Sequence, residues 1–144
     1  MREKILSFLG LMRRAGALPL GETNTGAAVR DGKARLLLLA SDASENAQSR
    51  AESFARGRSV LTVPLPFTKA ELADALGVGG CAMMAATDIG FANALMKLLH
   101  ELEPERYAGV AEETARRFEK AERRRRESAA HDSNSRTGKR RTNV

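Results

Sequence analysis

Side chains that could catalyse a reaction are few and widely spaced in this sequence. Asp42 and Asp88 each follow an apolar run, where a carboxylate can act as an acid or base, but capping of the next helix explains both residues more simply. Cys81, the only cysteine, begins an apolar stretch and is predicted to be a small buried group. His100 and His131 lie too far apart in sequence to suggest a metal site. With no nucleophile elbow, dinucleotide fingerprint or Walker motif present, we expect no enzyme, no cofactor and no metal ion.

A better candidate for binding is the turn Gly21-Glu22-Thr23-Asn24, which leads into a helix predicted to be capped by Thr23 or Asn24. Free backbone N–H groups and the positive end of the helix dipole attract phosphate or base acceptors at such a position. Asn24 can donate to and accept from a base edge, and Thr23 can bond a phosphate or a sugar. Gly26 follows within the helix, where glycine costs up to about 1 kcal/mol relative to alanine, so we expect another backbone to approach it closely. An ordinary turn and cap is the alternative for these residues.

Hydrophobic patterns predict the elements that must position this turn. Apolar residues at helical spacing predict a helix over 3–14 and four more helices, which begin at the caps Thr23 or Asn24, Asp42, Thr68, and Thr87 or Asp88. Asp42 with Glu45, and Thr68 with Glu71, have the spacing of capping boxes. Short apolar runs predict an edge strand at 17–20, buried strands at 36–40 and 81–86, and a further strand at 60–63. This alternation predicts a three-layer α/β/α sandwich around a mixed sheet of about four strands.

Apolar content divides the chain near residue 100, with 50 apolar residues in 1–100 and 11 in 101–144. The 144 residues include 24 Lys+Arg against 18 Asp+Glu, which gives a net charge of +6, and the isoelectric point is about 10.1. We predict a domain over 1–101, a charged helical extension over 102–126, and a basic tail over 127–144 without regular structure. The basic balance favours an anionic partner, and nucleic acid is the first candidate.

The apolar runs are too short to cross a membrane. Gly10, Arg13 and Arg14 interrupt the apolar stretch near the N-terminus, which argues against a signal peptide. We therefore expect a cytoplasmic monomer with no membrane partner.

Three segments of the chain together resemble a known family. They are LGLMRRAG at residues 9–16, GETNTGAAVRDGKARLLLLASDAS at 21–44, and TDIGFA at 87–92. In this order they resemble the L7Ae/L30e/Gadd45 superfamily, and most of all the small bacterial L7Ae-like ribosome-associated proteins of the YlxQ type. The resemblance covers residues 1 to about 100. It implies an L30e-like fold and a non-enzymatic protein that binds structured RNA, such as a kink-turn or ribosomal RNA.

The resemblance also implies a site at the start of the second helix. There the family pattern Gly-x-Asn-Glu-x-x-Lys reads the tandem sheared G·A pairs of a kink-turn. Gly21 matches the glycine, Thr23 the asparagine position, Asn24 the glutamate position and Ala27 the lysine position. Thr23 and Asn24 keep polar groups, whereas Ala27 loses a charged contact, which weakens binding by about 1–3 kcal/mol. Tight kink-turn recognition is therefore expected to be reduced.

The family's second contact surface is the loop before the last strand, which packs apolar atoms on extruded bases. Here that loop is Val78-Gly79-Gly80-Cys81, in which Val78 supplies the apolar group. The implied surface requires the helix tip near Thr23 to lie beside this loop, and nearby basic residues, Arg35 among them, to neutralise phosphates. The candidate RNA-binding residues are Gly21, Glu22, Thr23, Asn24, Ala27, Arg30, Lys33, Arg13, Arg14, Val78, Gly79, Gly80 and Cys81.

Two alternatives stay open at this point. The sandwich could be a protein-interaction module that has lost kink-turn specificity, as Gadd45-like relatives illustrate. The charged part of the chain after residue 101, which contains the cluster Arg123 to Arg126, is either a further RNA-binding arm or a charged helix in solvent with an unstructured end.

Overall fold

The computed structural model describes residues 1–79 and 81–142, and side chains as far as residue 131. The elements follow one another as α1 (Arg2–Arg14), α2 (Glu22–Arg30), β1 (Leu36–Leu39), α3 (Glu45–Ala55), β2 (Leu61–Pro64), α4 (Lys69–Leu76), β3 (Met83–Ala86), α5 (Ile89–Leu102) and α6 (Pro104–Thr142). The predicted alternation of helices and strands over the first hundred residues is confirmed.

The sheet has the order β2-β1-β3, with β1 parallel to β2 and antiparallel to β3. The predicted edge strand at 17–20 is present as a bridge between Leu20 and Met84 rather than as a full strand. The Ala85 amide donates to the Pro19 carbonyl at 3.1 Å, which extends this pairing. Proline lacks a donor of its own, which suits a position at the edge of a sheet.

The four leucines of β1 are all buried and divide between the two faces of the sheet. Leu36 and Leu38 pack in a core cluster with apolar residues of α1, α4 and α5, whereas Leu37 and Leu39 pack with those of α2 and α3. This alternation follows from the twofold period of side chains along a strand. It confirms the predicted three-layer α/β/α sandwich.

Two of the predicted helix caps are confirmed. Thr68 and Glu71 form a reciprocal capping box at the start of α4. Asp88 accepts a hydrogen bond of 2.9 Å from the Phe91 amide at the start of α5. Capping therefore accounts for the carboxylate of Asp88.

The predicted capping box of Asp42 and Glu45 is wrong. Ser44 caps α3 by accepting from the Ala47 amide, and Asp42 instead accepts from the Lys69 amide of α4 at 2.8 Å. The physical reason is that β1 and β2 are parallel, so the segments after both strands leave at one edge of the sheet. Asp42 can therefore reach a helix that begins far away in sequence.

Helix α6 packs its first turns against the sandwich. Tyr107 is 1% exposed and belongs to the core cluster shared with α1, α4 and α5, and its hydroxyl donates to the Pro64 carbonyl. Thr114 is also buried and its hydroxyl donates to the Val110 carbonyl within the helix.

The end of α6 differs from the prediction. The sequence pattern predicts the loss of regular structure from residue 127, whereas the helix continues to Thr142. Residues 127–131 are exposed and contain neither glycine nor proline, so intrinsic helix propensity extends the helix without burial. Residues 143 and 144 of the predicted tail lie outside the described residues. The division into a domain over 1–101 and an extension over 102–126 stays a prediction.

Candidate nucleic-acid interface

Helix α2 begins earlier than the sequence suggested. Its N-cap is Gly21, at φ 88 and ψ 165 and without a side-chain cap, so the prediction of a cap at Thr23 or Asn24 is wrong. Glycine alone adopts this backbone conformation at low cost, and it starts the helix at Glu22. The first intrahelical bond runs from the Thr25 amide to the Gly21 carbonyl at 2.9 Å. The N–H groups of residues 22–24 therefore have no acceptor within the helix, which leaves them available to a ligand.

The Asn24 side chain is exposed at this helix tip. Its amide nitrogen donates to the Leu20 carbonyl at 2.9 Å, which holds the side chain against the edge segment. That bond uses one of the two amide hydrogens and leaves the carbonyl oxygen and the other hydrogen for a second partner. Asn24 is thus oriented while it keeps a donor and an acceptor for a base edge.

The helix tip lies beside the loop that precedes β3. The Gly21 amide donates to the Met83 carbonyl at 2.9 Å, and the Cys81 thiol donates to the same carbonyl at 3.0 Å. Burial raises the pKa of Cys81, and the backbone groups of Gly21 and Met83 act in the opposite direction. The helix tip and the loop residue Cys81 are therefore both hydrogen-bonded to the Met83 carbonyl, at the start of β3. We call residues 21–24 together with Val78, Gly79 and Cys81 the platform.

Within the platform, the loop residues differ in exposure. Gly79 is exposed, whereas Val78 is half-buried and packs against the core, so only part of its apolar surface can meet a base. Cys81 is buried, as predicted. Gly80, which is among the predicted RNA-binding residues, lies outside the described residues.

The predicted basic residues divide between two places. The Arg13 guanidinium donates to the Leu76 carbonyl at the end of α4, next to the Val78 loop. Arg14, the last residue of α1, is exposed. Arg30 and Lys33 instead lie at the far end of α2, about 13 Å from its tip, because an α-helix rises about 1.5 Å per residue. The structure brings Arg13 to the platform and keeps Arg30 and Lys33 away from it.

Two neighbours of the helix tip were missed by the sequence analysis. Arg50 of α3 pairs with Glu22 at 2.8 Å. The ring of Phe54 lies against Gly26, where an added Cβ would come within 2.9 Å of it. The expectation that another backbone approaches Gly26 is therefore wrong, since an aromatic side chain occupies the space. Contacts between α2 and α3 have no local sequence signal.

Replacing Gly21 by alanine is expected to lower the free energy of unfolding by about 1–2 kcal/mol, because an L-residue is strained at positive φ whatever the free space. Thermal or urea unfolding measures this change. Gly79→Ala is the matched control, since a Cβ added at Gly79 would meet no described atom within 4 Å and the residue has no positive φ. Equal effects of the two substitutions would contradict the role assigned to Gly21.

Among the described residues, no three His, Cys, Asp or Glu side chains group closely enough to hold a metal ion. A helix with the length and apolarity needed to cross a membrane is also not found in the described part of the chain.

Comparisons with known proteins place the chain in a family. It matches no family model. A curated relative, the RNA-binding protein YlxQ of Enterococcus faecium, is 33% identical over 98 residues, which is 68% of this chain and 93% of the relative. The chain belongs to the YlxQ family. This confirms the resemblance carried by the three segments.

A solved structure supports the fold of this YlxQ-type chain. It is the structure of a protein with unknown function from Bacillus halodurans C, with a TM-score of 0.60 and 28% sequence identity. The match covers 66% of this chain and 95% of that chain. About a third of the YlxQ-type chain therefore lies outside this match.

Proposed function

We propose that this protein binds structured RNA through the platform. The observation that carries the proposal is the hydrogen bond from the Gly21 amide to the Met83 carbonyl, which holds an open helix tip at the start of β3, where the Cys81 thiol bonds to the same carbonyl. A relative whose name describes it as RNA-binding supports the same function. The partner we propose is a kink-turn-like or ribosomal RNA, bound without catalysis by a cytoplasmic, ribosome-associated monomer.

Each part of the platform has a distinct role in this proposal. The free N–H groups of residues 22–24 and the helix dipole bind a phosphate. Asn24 contacts a base edge with its free donor and acceptor, and Thr23 bonds a phosphate or sugar. Arg13 neutralises a phosphate next to the Val78 loop. Backbone contacts therefore position the RNA, and Asn24 supplies the specificity.

The experiment that tests this function is a titration with two RNAs, one with a kink-turn and one an unbent duplex. Fluorescence is followed at several salt concentrations, because phosphate contacts make the affinity salt-dependent. We expect tighter binding of the kink-turn. Equal affinities would contradict the preference for bent RNA, and failure of both RNAs to bind at low salt would contradict RNA binding itself.

Asn24→Ala is expected to weaken kink-turn binding about tenfold, since one good base contact contributes about 1–3 kcal/mol. The side chain is exposed, so the fold is expected to tolerate its loss. Arg126→Ala is the control, because Arg126 is exposed on α6 and is not a platform residue, and it should change the affinity by less than about twofold. If the two variants bind alike, the platform is not the site.

Purification from nuclease-treated lysate tests the alternative interaction module. An RNA partner is removed by the nuclease, whereas a protein partner survives it. A stoichiometric protein partner that displaces RNA from the platform would overturn the proposal.

A further inference from the structure

A second basic surface lies between α6 and the end of the sheet. It is an open groove of about 620 Å³ lined by Ala34, Arg35, Ser59, Ile89, Arg116, Arg117, Lys120, Ala121 and Arg124. The lining contains five cations and no acid. The sequence pattern did not show this groove, because its walls come from four separate parts of the chain.

The groove lies at the opposite end of the sheet from the platform. The Arg35 amide donates to the Ala86 carbonyl at the end of β3, whereas Gly21 bonds to Met83 at the start of that strand. Ser59 precedes β2. Because β2 runs parallel to β1, Ser59 lies at the same end of the sheet as Arg35, which precedes β1. Since strands rise about 3.3 Å per residue, the two surfaces are separated by at least about 10 Å.

The cations of the groove are neutralised only in part. Glu113 pairs with both Arg116 and Arg117, and hydrogen bonds from these two guanidinium groups lower the pKa of Glu113 to about 2. Arg117 also donates to the Ser59 carbonyl, which ties α6 to the segment before β2. This arrangement holds the arginines in place at neutral pH.

The remaining cations keep their charge available. No described carboxylate lies within ion-pair distance of Arg35, Lys120 or Arg124. Basic residues continue beyond the groove, where Arg58 donates to the Val29 carbonyl at 3.0 Å and to the Arg30 carbonyl at 3.3 Å. Asp88 next to Ile89 is a nearby acid, and its carboxylate accepts from the Phe91 amide.

We propose that this groove binds the phosphodiester backbone of the RNA that the platform holds. The proposal rests on the proposed function, and it adds a second contact at the opposite end of the sheet. Guanidinium groups match phosphate geometry and can bind it in a bidentate way. The only large apolar lining residue is Ile89 and no aromatic ring lines the groove, so bases have no surface on which to stack. Recognition there is therefore of backbone charge and not of sequence.

The test uses the full chain and two kink-turn RNAs that differ in arm length, one with short arms and one with an arm longer by about ten base pairs. The variant is Lys120→Gln with Arg124→Gln, and both side chains are exposed. The matched control is Arg123→Gln with Arg126→Gln, which removes the same charge from the same helix outside the groove. Circular dichroism checks that both variants keep their helices.

We expect the groove variant to bind the long-arm RNA about tenfold more weakly, with a salt slope smaller by about 2, because each lost phosphate contact lowers it by about 1. Its affinity for the short-arm RNA should change by less than about twofold, and the control should change by less than about twofold for both RNAs. Groove and control variants that behave alike on the long-arm RNA would overturn the proposal. Equal binding of the long-arm RNA by the groove and control variants is also the result expected if the groove binds an acidic protein instead of RNA.

The two proposals fail in different ways. If Asn24→Ala weakens both RNAs while the groove variant matches its control, the groove proposal alone is overturned. If the groove variant weakens the long-arm RNA while Asn24→Ala changes neither RNA, the platform is overturned and the groove is supported.

Discussion

Replacing Tyr107 by alanine is expected to lower the free energy of unfolding by about 3–5 kcal/mol, the range for truncation of a large buried aromatic side chain. Tyr107 belongs to α6, yet it is 1% exposed and packs in the core cluster of the sandwich. Burial raises the pKa of Tyr107 to about 12, so the hydroxyl remains protonated at neutral pH and keeps donating to the Pro64 carbonyl. Urea unfolding followed by circular dichroism measures the change.

Tyr107→Phe separates the ring from the hydroxyl. It keeps the packed ring and removes one hydrogen bond, so we expect a loss of about 1 kcal/mol. Lys97→Ala, at an exposed position of α5, is the control and should change stability by less than about 0.5 kcal/mol. If Tyr107→Ala were as mild as that control, the first turns of α6 would not belong to the core. A chain that ends at residue 101 would then be expected to fold with full stability.

The fold of the first hundred residues could be predicted because its signals are local. The four consecutive leucines of β1 indicate a strand buried on both faces, and Thr68 with Glu71 has the spacing of a capping box. Both predictions depend on residues only a few positions apart. The family resemblance then identified the same fold from the order of three segments.

The caps that were predicted wrongly depend on contacts between distant segments. Asp42 binds the Lys69 amide, a choice set by the parallel pairing of β1 with β2 and not by its own neighbours. Gly21 starts α2 because its positive φ fits the turn out of the edge segment, and residue type alone favoured Thr23 or Asn24. The residues close to a helix start therefore indicate that a helix begins there, whereas contacts with distant segments determine which residue caps it.

The candidate site was predictable only in part for the same reason. The turn at 21–24 and Cys81 are far apart in sequence, and the resemblance alone implied that they lie near each other, as their shared bond to the Met83 carbonyl shows. Arg30 and Lys33 were grouped with the platform because they lie close to it along the chain, but the length of α2 separates them from its tip. The basic groove needs the packing of α6 against the segments before β1 and β2, which no sequence period encodes.

Restoring a lysine at position 27 is expected to strengthen kink-turn binding by about 1–3 kcal/mol, the contribution of one charged contact to a base or phosphate. Ala27 is half-buried on α2, and it lies three residues after Asn24, so the two side chains share one face of the helix. A lysine stem can lie along the helix and place its ammonium near the platform. Since about 1.4 kcal/mol is a factor of ten, Ala27→Lys should lower the dissociation constant roughly 5- to 140-fold.

The control must add the same charge elsewhere, because any new lysine attracts RNA. Ala108→Lys does so at an exposed position of α6, and it should strengthen binding by less than about twofold. The gain from Ala27→Lys should be larger for the kink-turn than for an unbent duplex, and it should disappear when Asn24→Ala is added, because contacts that share one ligand are coupled. If both lysine variants improve binding of both RNAs equally, the gain is general attraction of charge and α2 does not face a kink-turn.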